Sequence, residues 1–479
     1  MPSSRQWPKL LLAALALATL VGFFVYPTYT TYDSLYSLLW GREVLHGHLP
    51  SFETYRAPTE HPLAILFGAG LSLFGEAGDR MMIAATLASF VALAAGMYRL
   101  AAARFTPLIG VIAAALLCTR FDFAFLAARG YIDIPYLAMV VWAAALEAEH
   151  KRRGVPVLVL LGLASLMRPE AWLLIGLYWL WLAIDPASTW TRRAWTAAVA
   201  AIGPVTWAAV DKIVTGDALY SLHSTSSLAE DLGRAKGVSS IPHASWAFLV
   251  SLDKWPVLVA GIAGILLMTY IAPKRLGMPL ILLVVGLGTF VLVGLAGLSI
   301  INRYLLVPSL MVMIFAAVAL GGWTMVEPGR VRTAWIAASA AVVVFGVVFT
   351  ATHVTLTRFD TELGFRKHYH RALEQIVDDP QVRAAVRRCG PISLPNHKLI
   401  PDVRWLADLS STQVVARSDP SQKQRVQNGV AIYVLERYAL FRQAWVSEAD
   451  DPLDQVPLPG FVRVATSRYY SAYVRCGGD

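Results

Sequence analysis

The sequence predicts a polytopic α-helical membrane protein that ends in a small α+β domain. Three observations carry this. The 479-residue chain is 56% hydrophobic and only 15% charged, against about 25% charged in ordinary soluble domains, and its mean hydropathy is +0.54. Long apolar runs recur from Leu10 to Thr350, and only helices or closed barrels satisfy the backbone in a bilayer. From Arg358 onward the composition turns polar.

The elements follow in order. The net charge of +9 does not indicate nucleic acid, because it falls in short clusters between apolar runs. These are Arg5 and Lys9, Arg99 and Arg104, Lys151–Arg153, Arg192 and Arg193, Lys274 and Arg275, and Arg330 and Arg332. Such clusters mark cytoplasmic ends. The first span, Leu10–Tyr26, lacks a convincing cleavage site and is expected to be retained, with its N-terminus in the cytoplasm. Pro62–Phe74 is too short to cross, and counting it would put every later basic cluster on the wrong side. It reads as a juxtamembrane or re-entrant helix. The further spans are Met81–Tyr98, Pro107–Thr119, Ile134–Leu146, Val155–Met167, Ala171–Ile184, Trp195–Val214, Phe248–Ile271, Pro279–Ile300, Tyr304–Met325 and Thr333–Thr352. That makes eleven spans and an extracytoplasmic C-terminus. Several are short, which implies a cavity opening into the membrane from outside.

Residues 1–357 therefore form a membrane module and 358–479 an extracytoplasmic domain. A helix over Phe365–Arg388 is expected there. Strands at Gln413–Ala416, Val430–Leu435 and Phe461–Val464 follow, punctuated by Asp379-Pro380, Gly390-Pro391 and Asp451-Pro452. Cys389 and Cys476 lie in this domain and are expected to pair, since a disulfide is permitted outside the cytoplasm. Cys118 lies in a span.

Polar residues beside spans are costly and are functional candidates. The loop Tyr26–Pro62 holds Asp33, Arg42, Glu43, His46, His48, Glu53, Arg56, Glu60 and His61. Asp33 reads as a general base towards an acceptor hydroxyl, as the N-cap of the Leu35–Leu45 helix, or as both. Glu60 and His61 can bind a metal, orient an acceptor or contact a phosphate; the alternative is a helix-capping pair before Pro62. No H-x-E-x-H-like spacing surrounds them. Arg129 and Asp133 read as a structural ion pair, or as a phosphate contact and a carboxylate holding a basic group. Arg168-Pro169-Glu170 offers a planar fork to phosphate, or a hairpin turn held by its own pair. Arg303-Tyr304, a lone arginine at an outer span start, is a similar case. Thr215–Trp246, with His223, Glu230, Asp231, Arg234, Lys236 and His243, reads as a lid or a solvated connector.

The ordered stretch Tyr32-Asp33-Ser34, Trp40-Gly41-Arg42-Glu43, Gly47-His48-Leu49-Pro50, His61-Pro62-Leu63, Leu73-Phe74-Gly75 resembles the opening of bacterial members of the GT-C superfamily of glycosyltransferases. Arg168-Pro169-Glu170 and Arg303-Tyr304-Leu305 are similar to sequences recurring in that group. The resemblance covers the membrane part, about three quarters of the chain. It implies a GT-C fold with juxtamembrane helices in the first outer loop. It also implies sugar transfer from a polyprenyl-phosphate donor to a glycan, lipid or protein acceptor at the outer face of a bacterial cytoplasmic membrane, inverting, with Asp33 as base. Arg56, Glu60, His61, Arg129, Asp133, Arg168, Glu170, Arg303 and Tyr304 would contact substrate. Many members carry two adjacent acidic residues where Asp33 is followed by Ser34, so a divalent metal stays open. A transporter, which would show two similar halves and midplane charges, is the rival class; a lipid- or glycan-handling ligase is a third reading.

Overall fold

The computed structural model describes residues 6–26, 28–235, 237–353, 356–436 and 457–477, without the side chains of 238, 353 and 356–359. Arg5, Lys236 and the Asp451-Pro452 turn lie outside the described residues. The chain is a multi-pass membrane protein. Helices α1 (Trp7–Val25), α2 (Tyr32–Leu45), α3 (Pro62–Ser72), α4 (Gly78–Arg104), α5 (Pro107–Cys118), α6 (Phe121–Ala128), α7 (Asp133–Glu149), α8 (Val155–Met167) and α9 (Glu170–Ala183) come first. Then follow α10 (Trp190–Thr215), α11 (Tyr220–Asp231), α12 (Ile241–Asp253), α13 (Trp255–Ile271), α14 (Pro273–Leu295), α15 (Leu306–Gly321) and α16 (Arg330–His353).

All eleven segments read as spans are helical, but fewer are long and apolar enough to count as spans by themselves. Among the described residues six helices are long and apolar enough to cross, or eight if each of two bent pairs is one span. The expected span Phe248–Ile271 is one of those pairs: α12 and α13 meet at 104°. Lys254 sits at the break with φ 64°, and Pro256 opens α13, so the helix cannot run through. The core packs α4 on α7 and α13 on α15, with Met97, Leu137, Val141, Leu310 and Phe315 buried between them. By contrast α1 buries none of its residues.

The first loop is two packed helices. Thr31 caps α2, its Oγ1 accepting from the Ser34 N–H at 3.4 Å, and Leu35, Tyr36, Leu38, Leu39 and Trp40 are buried. Pro62 opens α3, where its missing N–H costs nothing. The two helices touch backbone to backbone. A Cβ on Gly41 would lie 2.2 Å from the Ala69 nitrogen, and one on Gly68 2.3 Å from the Ser37 oxygen. Only glycine fits at either crossing point.

The C-terminal part comprises α17 (Leu356–Val377), α18 (Pro380–Arg388), α19 (Ile400–Leu406) and strands β1 (Ile392–Leu394), β2 (Val414–Ala416), β3 (Gly429–Val434), β4 (Val462–Thr466) and β5 (Tyr470–Arg475). The expected helix Phe365–Arg388 is two helices. Pro380 cannot donate to the turn before it, and the Asp379 carboxylate caps α18 at the Gln381 and Val382 N–H groups. The sheet order is β2-β1-β3-β5-β4. β1 is parallel to β2 and β3, and β5 antiparallel to β3 and β4. Cys389 and Cys476 are joined by a disulfide, their Cα atoms 4.4 Å apart. This part sits on the first loop: Arg404 donates to Glu43 at 2.6 Å, Arg42 pairs with Asp408 at 2.5 Å, and Trp405 packs with Leu35 and Leu38.

Candidate functional site

A run of alternating charges crosses four elements at one end of the bundle. Asp33, second residue of α2, accepts from Arg303 Nη1 at 3.0 Å. Arg303 lies in the 3₁₀ turn Asn302–Leu305 that leads into α15. The same Nη1 reaches Asp133 Oδ2, at the first residue of α7, at 3.4 Å. The other oxygen of Asp133 accepts from Arg168 Nη1. Arg168, extended between α8 and α9, then donates through Nε and Nη2 to Glu170 Oε1 at 3.0 and 2.9 Å. Asp133 is fully buried and Arg168 nearly so, whereas Arg303 and Asp33 keep 27% and 23% side-chain exposure. The relay thus runs from a buried anchor to an accessible end.

Local backbone places Asp33. The Ser34 hydroxyl donates to the Gly130 carbonyl at 2.6 Å. Gly130 has φ 71°, and a Cβ there would lie 2.3 Å from Thr30 Oγ1, so the α6–α7 turn needs glycine to seat the start of α2. Arg303 also lies over the Tyr131 ring at 5.5 Å, and Arg168 lies 5.6 Å from the Tyr304 ring.

A cavity of about 790 Å³ opens over this relay, within the ~300–1,000 Å³ range of small-molecule sites. Asp33, Arg56, His61, Arg168, Glu170, Arg303 and Tyr304 line it. Burial would raise the Asp33 carboxyl, but the charge and hydrogen bond of Arg303, together with smaller contributions from neighbours such as Lys398, hold the group below the usual carboxylate range. His61 is pushed down to about 3 by burial and by Arg168. It is a neutral ring whose Nδ1 meets no partner among the described residues. Tyr32 donates to the Arg56 carbonyl at 2.9 Å, holding Arg56 at φ 52° on the cavity wall.

Three of the candidates are not on that wall. Asp133 lies beneath it. Arg129 turns the other way, donating to the Tyr29 and Thr30 carbonyls at 3.0 and 3.4 Å. Glu60 is 1% exposed, and neither of its oxygens meets a partner among the described residues; burial raises it to about 7. Other lining residues carried little sequence signal. His397 and Lys398 come from the C-terminal part, with Lys398 Nζ 5.9 Å from the Tyr32 ring. Ser221, Leu222, Thr225 and Leu228 come from α11, a helix within the stretch read as a loop or lid. Thr225 bonds Thr59 at 2.7 Å, which ties α11 to the first loop.

Chemically, the accessible carboxylate can take a proton from a hydroxyl, and the guanidiniums can hold an oxyanion beside it. Among the described residues no group of three or more His, Cys, Asp or Glu is placed to hold a metal ion. Both aspartates already face guanidiniums.

No family model matches the sequence, and no curated protein matches it. Solved structures do. ArnT from Cupriavidus metallidurans in the apo state superposes with TM-score 0.58 at 15% identity, over 98% of both chains. The same protein bound to undecaprenyl phosphate gives 0.57 at 13%, again over 98% of both. The oligosaccharyltransferase AglB from Archaeoglobus fulgidus, in complex with an inhibitory peptide and a dolichol-phosphate, gives 0.57 at 12%, over 93% of this chain and 72% of that one. These neighbours are GT-C glycosyltransferases. The chain shares the fold of these proteins.

Proposed function

We propose that this protein transfers a sugar from a polyprenyl-phosphate-linked donor to an acceptor hydroxyl at the outer face of a bacterial cytoplasmic membrane. The observation that carries the reading is the meeting of Asp33 and Arg303 at 3.0 Å on the wall of the large cavity. The fold shared with proteins solved with undecaprenyl phosphate and dolichol-phosphate supports the donor class.

The step is one displacement. Asp33 takes the acceptor proton, and the acceptor oxygen attacks the anomeric carbon. The bond from that carbon to the phosphate oxygen breaks, its electron pair leaves with the polyprenyl phosphate, and the anomeric centre inverts. Arg303 is built for the leaving group. Its Nη1 serves Asp33 and Asp133, and the rest of its fork carries donors for an incoming oxyanion. Negative charge grows on the phosphate as the bond breaks, so the guanidiniums favour the transition state over the ground state. Asp133 and Glu170 hold Arg168 in place; His61 offers a neutral nitrogen to substrate. The N-terminus lies in the cytoplasm, residues 1–357 form the catalytic module, and 358–479 form an outer domain that receives a glycan, lipid or protein acceptor.

The test is transfer in vitro from a panel of synthetic polyprenyl-phosphate sugars of defined anomeric configuration, with products read by NMR. Product of opposite anomeric configuration is expected from at least one donor. Retained configuration, or no transfer from any donor by folded protein, contradicts the proposal.

A further inference from the structure

A second recess lies on the far side of the loop that walls the cavity. Residues 50–55 of the first loop face β2 and the 411–425 turn across a groove of about 520 Å³. Glu53, Tyr55, Thr412, Asp419, Ser421 and Arg425 are among its lining residues. Glu53 and Thr412 are exposed. Tyr55 is the groove residue that touches the cavity's lining. It lines the groove, and its hydroxyl donates to the Ser418 carbonyl at 3.1 Å. Next to it are two cavity residues: the Arg56 guanidinium 5.1 Å from its ring and the His397 ring at 6.2 Å. The lining of the groove thus meets the lining of the cavity at Tyr55.

The lining narrows the class of occupant. The six named residues carry two carboxylates and one guanidinium. That guanidinium already donates to Gln422 Oε1 at 2.9 Å and to the Thr412 carbonyl, so a polyanion finds no welcome. An added peptide strand would need the outer edge of β2. There the Ala416 carbonyl is taken by the Asp419 N–H at 3.2 Å, and Arg425 covers the Thr412 carbonyl. Hydroxyls and carboxylates around a tyrosine ring suit a neutral, hydroxyl-rich chain: vicinal hydroxyls donate to carboxylates in charge-assisted bonds, and sugar C–H faces pack on aromatic rings.

We propose that this groove binds the preceding units of an oligosaccharide acceptor, whose terminal hydroxyl reaches Asp33 past Tyr55. This rests on the glycosyl-transfer reading above. The acceptor is then a glycan of several units, and a single sugar binds poorly.

The test uses the full chain in lipid nanodiscs. Probes are neutral monosaccharides and the matching linear hexasaccharides of glucose, mannose and arabinose, read by saturation-transfer NMR; undecaprenyl phosphate affinity is measured in the same samples. Binding of at least one hexasaccharide is expected, with its monosaccharide weaker. Thr412→Trp, which plugs the groove from an exposed position, and Glu53→Ala should each weaken it about tenfold or more, the effect of one lost hydrogen bond to a charged group. Undecaprenyl phosphate affinity should stay unchanged in both variants. If no hexasaccharide binds while undecaprenyl phosphate does, the groove assignment falls and the transfer reading stands. Glycan binding indifferent to both substitutions, or plug-sensitive binding of an extended hexapeptide in place of glycan, overturns it equally. Wild type that binds no undecaprenyl phosphate overturns the transfer reading and the groove assignment together.

Discussion

Replacing Arg303 by glutamine removes the side chain that joins the accessible and buried halves of the relay. In the wild type its Nη1 lies 3.0 Å from Asp33 and 3.4 Å from Asp133. A hydrogen bond to a charged group contributes roughly 1.5–3 kcal/mol. If Arg303 gives a polyprenyl phosphate one such bond, the variant should bind undecaprenyl phosphate roughly 10- to 150-fold more weakly. The side chain is 27% exposed, so water screens part of the field and the lower half of that range is the expectation. Arg303→Lys keeps the charge but loses the planar fork, and should fall between the two. The assay is isothermal titration of detergent-solubilised protein with undecaprenyl phosphate. An Arg303→Gln protein that melts like the wild type and binds within twofold of it would refute the phosphate assignment.

Three more outcomes follow from the same geometry. Arg303, with smaller contributions from neighbours such as Lys398, holds the Asp33 carboxyl below its usual range against the effect of burial. The general base must be ionised, so the acid limb of kcat/KM lies below the ordinary aspartate range in the wild type and moves to higher pH in Arg303→Gln; an unmoved limb rejects Asp33 as the titrating base. Glu60 is raised to about 7 by burial. The folded state therefore holds its proton more tightly than the unfolded state, and stability is lost as pH rises from the ordinary glutamate range to about 7. A rise of that size corresponds to roughly 3 kcal/mol. Glu60→Gln should melt above the wild type at pH 8 and level with it near pH 4; parallel melting curves across that range would contradict the burial argument. The Cys389–Cys476 bridge closes a sequence separation of 87 residues, worth about 4–5 kcal/mol in the chain-entropy model. Reduction or Cys476→Ser should lower the melting temperature of the C-terminal part, and hydrogen exchange in β5 that does not change would count against a stabilising role.

The members of the relay were legible one by one because a charge next to an apolar run is expensive. Asp33, Asp133, Arg168, Glu170 and Arg303 each stand out that way. Who pairs with whom was not legible, since that depends on which helix ends meet. Arg129 and Asp133 look like an i,i+4 pair, but the break at Gly130, with φ 71°, sends Arg129 to the Tyr29 and Thr30 carbonyls. Lys398 carried no signal, being one charge among many in a polar stretch. The helix breaks were half legible. Pro256 and Pro380 were visible, yet the apolar runs on either side of Asp253-Lys254 and the helix-favouring residues around Asp379 masked them. Strand β1, three residues long, is too short to show an alternation.

Sugar transfer from a polyprenyl phosphate with Asp33 as base is tested most directly by the turnover of Asp33→Asn in the in vitro assay. Asparagine keeps the size and can still accept from Arg303, so the cavity should persist while the base is lost. A general base contributes about 10²–10⁴-fold. The expected result is a kcat reduced by that factor, with undecaprenyl phosphate affinity near that of the wild type. An Asp33→Asn protein that is folded, binds undecaprenyl phosphate and turns over within a few-fold of the wild type would contradict the account.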